Sequence, residues 1–336
     1  MTACRNLISD VPGLRVGHCE DTTRLTGVTV LLPDRPVIAS ADVRGGGPGT
    51  RETDALSLAG TVQEAHAIVL SGGSAFGLAA ASGVQGWLSE RGRGFAVGGA
   101  RIPIVPQAVL FDLLNGGATD YGLHNPFEAL ARVACEGAST EFPLGSVGAG
   151  LGATTSTLRG GLGSASSRVG DEIIVGALVA VNAIGSATIG RSKHFWAAPL
   201  EREGEFGGLG WPSPMPADAG EPILKPTLAS AHTTIGIVAT NARLTKTEAY
   251  RLAVMAQTGL ARSLYPVHSP LDGDVIFAVA TGDIALKASL SELTSIGASA
   301  ANTLARAVSR GVYEAAPAPQ CWKGQPAWQT LFGEHG

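Results

Sequence analysis

The residues best suited to chemistry in this sequence are a threonine pair and an acidic pair. Thr233 and Thr234 begin the β-branched run TTIGIVATNA, and Asp272 and Asp274 come directly before the apolar run VIFAVAT. A threonine hydroxyl is a weak nucleophile unless a base lies beside it, and a free α-amine on the same residue can be that base. This chemistry requires that the chain is cut before the threonine.

The spacing of the acidic pair suits a supporting role. Residues at i and i+2 of a strand point to the same face, so one carboxylate, Asp272 or Asp274, could polarise a hydroxyl while the other positions the amine. A structural interpretation stands beside this one, because Asp-Gly is common in turns and Thr-Thr is common in strands. The residues alone therefore do not choose between Thr233 and Thr234, or between a catalytic and a structural role.

Other motifs indicate neither a nucleotide nor a metal. The segment SGGSAFG, residues 71–77, lies between an apolar run and a helical pattern, where backbone amides can bind an anion. It matches neither GxGxxG nor a P-loop, so we interpret it as a tight structural turn or a substrate-lining loop. The seven histidines lack metal-ligand spacing, and the four cysteines form no CxxC pair. We expect no cofactor.

Composition and charge restrict the partners. The net charge is -4 and no Lys/Arg run occurs, which argues against nucleic acid and against an anionic membrane as partners. Charged residues make up 15% of the chain, a low fraction that favours surface buried between subunits, so we expect a homo-oligomer, a tetramer or larger. The N-terminus lacks a signal-peptide pattern, and we expect a cytoplasmic protein. A small molecule or short peptide is the expected ligand.

The elements that position the threonine and acidic pairs are predicted most clearly in the last third of the chain. Residues 232–242 and 275–283 are β-branched or apolar runs typical of buried strands. The capping-box sequence TKTE opens a helix predicted to end near Ala261, and a second, longer helix is predicted to stop at Gly311. Buried strands alternating with helices predict layers of helix and sheet.

The first two-thirds is richer in glycine and is predicted as short strands and loops within one domain, residues 1–336. We predict strands at residues 28–32, 67–70 and 171–185, a loop at 43–54, a helix after residue 77 that ends near Gly92, and a long exposed loop at 197–230. An exposed loop directly before Thr233 suits a processing site.

Seven longer motifs occur in an order that resembles a known family. They are VPGLRVGH, VRGGGPGTRETD, HAIVLSGGSAFGL, RIPIVPQAVLFDL, GSVGAGLGAT, GGLGSAS and TTIGIVATNA. In these motifs the chain resembles the P1 family of peptidases, which includes L-aminopeptidase/D-esterases, β-peptidyl aminopeptidases and nylon-oligomer hydrolases. The resemblance covers about Ile8 to Val312. It implies an α+β fold, an αββα four-layer sandwich like that of N-terminal-nucleophile hydrolases, and self-cleavage.

The resemblance also implies roles for single residues. It places the nucleophile at Thr233, so self-cleavage would give a large subunit, 1–232, and a small subunit, 233–336. It places the assisting pair of the nylon-oligomer branch at Asp272 and Asp274, and the oxyanion-stabilising amide at Asn182. The implied function is a self-processing amide hydrolase or aminopeptidase that acts through an acyl-enzyme on aminoacyl amides, short peptides or 6-aminohexanoate oligomers.

Three positions depart from the family's pattern. His232 precedes the nucleophile where relatives often have Asn, Phe111 replaces a tyrosine of some members, and Thr157 replaces a common lysine. The first change alters the peptide bond that would be cut, the second removes a hydroxyl group, and the third removes a positive charge. Two alternative functions remain: acyl transfer as in ornithine acetyltransferases, which resemble this fold and also self-cleave before threonine, and an unprocessed binding protein without activity.

Overall fold

Two stacked β-sheets form the centre of the computed structural model, which describes residues 5–122, 125–225 and 232–333. The first sheet has the strand order β1-β2-β6-β9-β4. Its strands are β1 (Leu14–Asp21), β2 (Thr26–Pro33), β4 (Gly49–Arg51), β6 (Ile68–Ser71) and β9 (Gln107–Val109). The strands predicted at residues 28–32 and 67–70 are confirmed as β2 and β6.

The second sheet holds the threonine segment near its middle. Its order is β10-β11-β12-β13-β3-β5, and its strands are β3 (Val37–Val43), β5 (Glu64–Ala65), β10 (Gly161–Val169), β11 (Ile173–Asn182), β12 (Thr233–Ala242) and β13 (Val275–Ile284). A separate hairpin joins β7 (Phe95–Val97) to β8 (Ala100–Ile102). The strands predicted for β11, β12 and β13 are confirmed.

Helices cover the outer face of each sheet. The helices are α1 (Ala80–Ser89), α2 (Phe127–Glu136), α3 (Lys246–Ala261), α4 (Ser289–Tyr313) and the short α5 (Trp328–Phe332). Separate apolar clusters lie between α1/α2 and the first sheet, between the sheets, and between α3/α4 and the second sheet. The order of layers is therefore αββα, as the resemblance implied.

The unit β12-α3-β13 places the ends of two strands together. The Thr245 hydroxyl accepts a hydrogen bond from the Glu248 N–H, and the Glu248 carboxylate accepts one from the Thr245 N–H, so the predicted capping box is present. β12 and β13 are parallel neighbours, with Ile235 opposite Val275. Because their N-terminal ends lie at one edge, the residues before Ile235 and Val275 meet there. This edge carries Thr233 and the acidic pair.

Glycines let helix α4 approach the second sheet closely, and this corrects one predicted helix end. The predicted stop at Gly311 is wrong, since α4 continues to Tyr313. A Cβ added at Gly311 would lie 2.9 Å from the Gly163 nitrogen, and one added at Gly163 would lie 1.8 Å from the Ala307 carbonyl oxygen. Gly311 is therefore a packing residue rather than a helix terminator.

The structure corrects two predicted loops, because one contains a short strand and the other contains buried residues. The segment 43–54 contains the short strand β4, which pairs with β9 and makes the prediction of a continuous loop wrong. In the segment 197–230, residues 197–225 hold neither an α-helix nor a strand, yet Phe206 and Lys225 are buried, so the prediction of general exposure is wrong there. Residues 226–231 lie outside the described residues.

Within the described part of the chain, no helix is both long and apolar enough to span a bilayer.

Candidate active site

The peptide bond between His232 and Thr233 lies in a buried, hydrogen-bonded position at the start of β12. The Thr233 hydroxyl donates to the His232 carbonyl oxygen at 2.5 Å. The Gly273 N–H donates to the same oxygen at 2.7 Å. His232 and Thr233 are 1% and 3% exposed. A threonine hydroxyl and a backbone donor thus both contact one peptide carbonyl oxygen.

Gly273 has no room for a side chain. A Cβ at this position would lie 2.6 Å from the Thr233 hydroxyl oxygen and 2.8 Å from the Gly47 carbonyl oxygen. Glycine is therefore required after Asp272 for close packing and not only for forming a turn. The missing side chain lets the Gly273 N–H approach the carbonyl that precedes Thr233.

The glycine-rich loop after β3 holds the acidic segment by backbone hydrogen bonds. The N–H groups of Arg44 and Gly45 donate to the Asp274 carbonyl, and the Gly47 N–H donates to the Asp272 carbonyl at 2.7 Å. A Cβ at Gly45 would lie 2.3 Å from the Asp274 nitrogen. The loop motif VRGGGPG thus fixes the backbone that carries both carboxylates.

The acidic pair is buried and its carboxylates accept hydrogen bonds from defined donors. Asp274 accepts from the Thr234 N–H at 2.7 Å and from both the backbone and the ring Nδ1 of His268. Asp272 accepts from the Ser269 N–H at 2.7 Å. Burial, together with the nearby charge of Asp274, raises the pKa of Asp272. The structure brings the pair to the threonine segment, with Asp274 bonded to Thr234 N–H rather than to the Thr233 hydroxyl.

Asn182 lies opposite Thr233 across the antiparallel pair β11-β12. Its side-chain amide donates to the Phe111 carbonyl at 2.9 Å, and its side-chain oxygen accepts from the Thr154 N–H at 3.0 Å. An Asn NH2 group has two hydrogens, so a second donation from Nδ2 is possible. The structure therefore places the predicted oxyanion amide in the same site as Thr233.

A buried lysine completes the surroundings of Asn182. Lys225 Nζ donates to the Asn182 side-chain oxygen at 3.1 Å and lies 3.4 Å from its carbonyl oxygen. Burial lowers the pKa of Lys225 to about 7, and nearby Asp272 offsets part of that change. Thr157, where many relatives have lysine, instead contacts Ser186 at 3.0 Å. The amine next to Asn182 therefore comes from Lys225, seven residues before His232.

A cavity of about 240 Å³ adjoins this bond. His232 and Lys225 line one part of it, and Phe111 lines another. Phe111, at a position where some relatives have tyrosine, lines the cavity, and its backbone oxygen accepts a hydrogen bond from Asn182. The site thus combines a buried threonine hydroxyl, hydrogen-bond donors and an adjoining cavity.

Several functional groups were not found from the sequence. The Gly273 N–H is a backbone group, and no side-chain motif marks it. Lys225 lies in a segment without periodicity, and His268 carries no ligand-type spacing. In the sequence, only the glycine run after β3 and the Asp-Gly-Asp sequence at residues 272–274 indicate that two backbone segments approach closely at this edge of the sheet.

Among the described residues, no group of three His, Cys, Asp or Glu side chains could hold a metal ion.

Comparison with known proteins adds a family and a fold. The model of peptidase family S58 matches residues 6–322. An uncharacterized aminopeptidase of Mycobacterium tuberculosis is 40% identical over 348 residues, which cover 97% of this chain and 98% of that protein. A 6-aminohexanoate-oligomer endohydrolase of a Kocuria species is 32% identical over 297 residues, which cover 85% of this chain and 78% of that enzyme.

A solved structure shows the same architecture. The L-aminopeptidase D-Ala-esterase/amidase of Ochrobactrum anthropi, described as a prototype of serine aminopeptidases and a variant of the Ntn hydrolase fold, has a TM-score of 0.71 with this chain. The similarity covers 98% of this chain and 93% of that one at 21% identity. The implied α+β fold resembling N-terminal-nucleophile hydrolases is confirmed.

Proposed function

Because the chain belongs to peptidase family S58, and is thereby a hydrolase of peptide or amide bonds, we propose that it cuts its own His232–Thr233 bond and then uses Thr233 as an N-terminal nucleophile. One observation carries this proposal. The Thr233 hydroxyl and the Gly273 N–H both contact the His232 carbonyl oxygen, at 2.5 Å and 2.7 Å. A nucleophile and an oxyanion donor on one buried carbonyl are what an N-to-O acyl shift needs.

Self-cleavage would proceed in two steps. The Thr233 oxygen attacks the His232 carbonyl carbon, the hydroxyl proton passes to the Thr233 nitrogen as the C–N bond breaks, and an ester joins His232 to the Thr233 side chain. The Gly273 N–H stabilises the negative charge that develops on the carbonyl oxygen. Water then hydrolyses the ester, which leaves a carboxylate on His232 and a free amine and hydroxyl on Thr233.

Turnover would use the freed amine as the base. An α-amine has a pKa near ~8, so it can accept the Thr233 hydroxyl proton close to neutral pH. The hydroxyl then attacks a substrate amide, the amine product leaves with that proton, and water releases the acyl group. Asn182 stabilises the substrate oxyanion, and Asp272 and Asp274 orient the hydroxyl and the amine. The resemblance implies these roles, and the positions of the four residues around one edge of the second sheet support them.

The proposed substrates are aminoacyl amides and short peptides. The names of two relatives indicate different substrates: one, at 40% identity, is named an aminopeptidase, and the other, at 32% identity, is named a 6-aminohexanoate-oligomer endohydrolase. The small volume of the cavity beside His232, about 240 Å³, supports the smaller substrates.

A matched pair of valine variants tests the nucleophile. Thr233→Val and Thr234→Val each replace a hydroxyl by a methyl of similar size, and the Thr234 hydroxyl is buried with no hydrogen-bond partner among the described residues. We expect wild type and Thr234→Val to split into residues 1–232 and 233–336, while Thr233→Val remains one chain without aminopeptidase activity. Intact-mass analysis under denaturing conditions and hydrolysis of aminoacyl p-nitroanilides are the measurements.

Other outcomes would favour the alternative functions. If Thr233→Val is cut at the same bond as wild type, Thr233 is not the processing nucleophile. An uncut wild type that binds ligands without hydrolysis would indicate an inactive binding homologue. Transfer of the acyl group to an added amino acid, faster than its release to water, would indicate an acyltransferase like the ornithine acetyltransferases.

A further inference from the structure

The amine of Lys225 lies inside the protein, against the side chain of Asn182. Its Nζ donates a hydrogen bond to the Asn182 side-chain oxygen at 3.1 Å and lies 3.4 Å from the Asn182 carbonyl oxygen. Lys225 is 8% exposed and lines the cavity beside His232. Lysine is almost never fully buried unless it has a partner, and the hydrogen bonds described for this one go to an amide-bearing residue. This placement makes Lys225 a candidate functional residue.

The hydrogen bonds around Asn182 fix the orientation of its amide. The side-chain oxygen accepts from the Thr154 N–H at 3.0 Å and from Lys225, and the side-chain nitrogen donates to the Phe111 carbonyl at 2.9 Å. A backbone N–H can only donate and a carbonyl can only accept, so the oxygen and the nitrogen of the amide cannot be exchanged. The bond to Phe111 uses one Nδ2 hydrogen. It leaves the other for an acyl oxygen bound at Thr233, the residue opposite Asn182 in the pairing of β11 with β12.

A positive charge on Lys225 strengthens that donor. A cation that donates to an amide oxygen draws electron density from the amide nitrogen, and hydrogen bonds linked in this way strengthen one another. The effect is greatest away from water, and both Lys225 and Asn182 are buried. Burial lowers the pKa of Lys225 to about 7, and the charge of Asp272 offsets part of that change. The amine therefore exists in both its charged and its neutral form near neutral pH.

The described contacts that hold Lys225 do not involve the bond to be cut. Upstream of the lysine, the Asp218 carboxylate accepts from the Arg191 N–H at 3.1 Å, and the Gly220 carbonyl accepts from the Tyr265 hydroxyl at 3.3 Å. The amine itself is held by Asn182. We therefore expect Lys225 to keep its place beside Asn182 after self-cleavage.

We propose that Lys225 is a positioning residue, which holds and polarises the Asn182 amide and thereby strengthens the oxyanion donor used in substrate turnover. The inference rests on the proposed function, because this oxyanion forms when Thr233 attacks a substrate. Self-cleavage has a donor of its own, the Gly273 N–H, at 2.7 Å from the His232 carbonyl oxygen. Loss of the Lys225 amine is therefore expected to slow turnover and to leave self-cleavage intact.

A pair of methionine variants tests this role. Lys225→Met removes the buried amine, and Lys323→Met is the control, because Lys323 is another lysine that lines the cavity. Both variants are expected to be cut after His232 like wild type. At about pH 6, where Lys225 is charged, Lys225→Met is expected to lower kcat for aminoacyl p-nitroanilides about tenfold, less than the ~10²- to 10³-fold loss typical when an oxyanion donor itself is removed. KM, and both constants of Lys323→Met, are expected to change less than about twofold.

A double-mutant cycle shows whether Lys225 acts through Asn182. In an Asn182→Ala background, Lys225→Met is expected to change kcat less than about twofold, because the amide on which the lysine acts is missing. An equal loss of kcat with and without the Asn182 amide would overturn the inference.

The pH dependence gives a measurement that a purely structural lysine would not change. The ratio of kcat for wild type to kcat for Lys225→Met is expected to fall from about ten near pH 6 to less than about three near pH 9, because the wild-type amine loses its proton between those values. Asp272, Asp112, His232 and Lys323 are other titratable groups near Lys225. Both proteins contain them, and both contain the α-amine freed by the cut, so their titration largely cancels in the ratio.

The outcomes separate this inference from the proposed function. A ratio that stays constant with pH would contradict the role of Lys225, even where Asn182→Ala remains uncut and the cycle cannot be read. A Lys225→Met protein that has the wild-type circular dichroism and stays uncut would also contradict it, since Lys225 would then act before the nucleophile is freed. An uncut wild type, or a cut wild type that hydrolyses no amide, would instead overturn the proposed function.

Discussion

The Lys225 side chain ends in a position where an ammonium is costly. It is buried and donates to Asn182, and its pKa is lowered from 10.5 to about 7 by desolvation. Between those pH values the unfolded chain holds a proton on Lys225 that the folded chain has released. The free energy of unfolding therefore rises with pH in this window through Lys225.

Replacing this lysine should remove that pH dependence. In a Thr233→Val background, which keeps one chain, we expect the Tm of the protein with Lys225 to rise relative to Lys225→Met as pH goes from 7 to 9.5. The slope can reach at most about 1.4 kcal/mol per pH unit, because one proton is involved. Thermal melts of both proteins at each pH measure the difference, and a difference that stays constant would contradict the desolvation of Lys225.

At the level of residues, side-chain motifs were found from the sequence and backbone groups were not. Thr233, Asp272, Asp274 and Asn182 lie in recognisable motifs, and the structure brings them to one edge. Their catalytic roles stay predictions. The Gly273 N–H depends on how closely two segments approach, which is a property of the folded chain and leaves no periodic signal.

At the level of elements, the site depends on the close approach of the acidic segment to the start of β12. A Cβ at Gly273 would meet the Thr233 hydroxyl oxygen at 2.6 Å, whereas a Cβ at Gly47 would find its nearest atom, the Asp272 carbonyl oxygen, at 3.8 Å. Both glycines lie at the same junction. They therefore provide a matched pair for testing whether this approach controls self-cleavage.

We predict that Gly273→Ala slows self-cleavage roughly tenfold to hundredfold, because the added methyl group must displace the Thr233 hydroxyl from the carbonyl. Gly47→Ala should be processed at the wild-type rate. The fraction of cut chain, followed by denaturing electrophoresis after synthesis, is the measurement, and far-UV circular dichroism checks folding. Equal rates for the two variants would show that the approach of Gly273 does not control the reaction.

The sequence predicts the strands and helices that have a clear hydrophobic or capping pattern. It does not predict those whose residues are small because another element packs closely against them. β12, α3 and β13 have β-branched runs and a capping box, and each was predicted within a few residues. β10 was missed because its sequence GLGSASSRV consists mostly of small residues that pack under α4 rather than of large apolar ones. The prediction that α4 stops at Gly311 fails for the same reason, because the sequence does not distinguish a glycine at a packing contact from a glycine at a helix end.

At the level of the whole molecule, the proposed cut would leave two interleaved chains. β12 and β13 belong to residues 233–336, and they lie between β11 and β3, which belong to residues 1–232. Helix α3 adds a contact, since Lys246 Nζ donates to the carbonyls of Gly60 and Val62. The predicted oligomer of four or more subunits and its cytoplasmic location stay predictions at this scale.

This topology predicts that the fragments remain together after the cut. Separating the fragments would break the pairings of β11 with β12 and of β13 with β3, and it would expose the apolar clusters on both faces of the second sheet. It would also break the ion pair between Arg306 and Glu205, whose side chains are 3% and 7% exposed. We expect residues 1–232 and 233–336 to co-elute in native gel filtration and to melt in one transition, with two masses appearing under denaturing conditions. Separate elution of the fragments under native conditions would contradict this prediction. The uncut Thr233→Val protein is the size control, because its native mass per subunit should equal that of the cut enzyme.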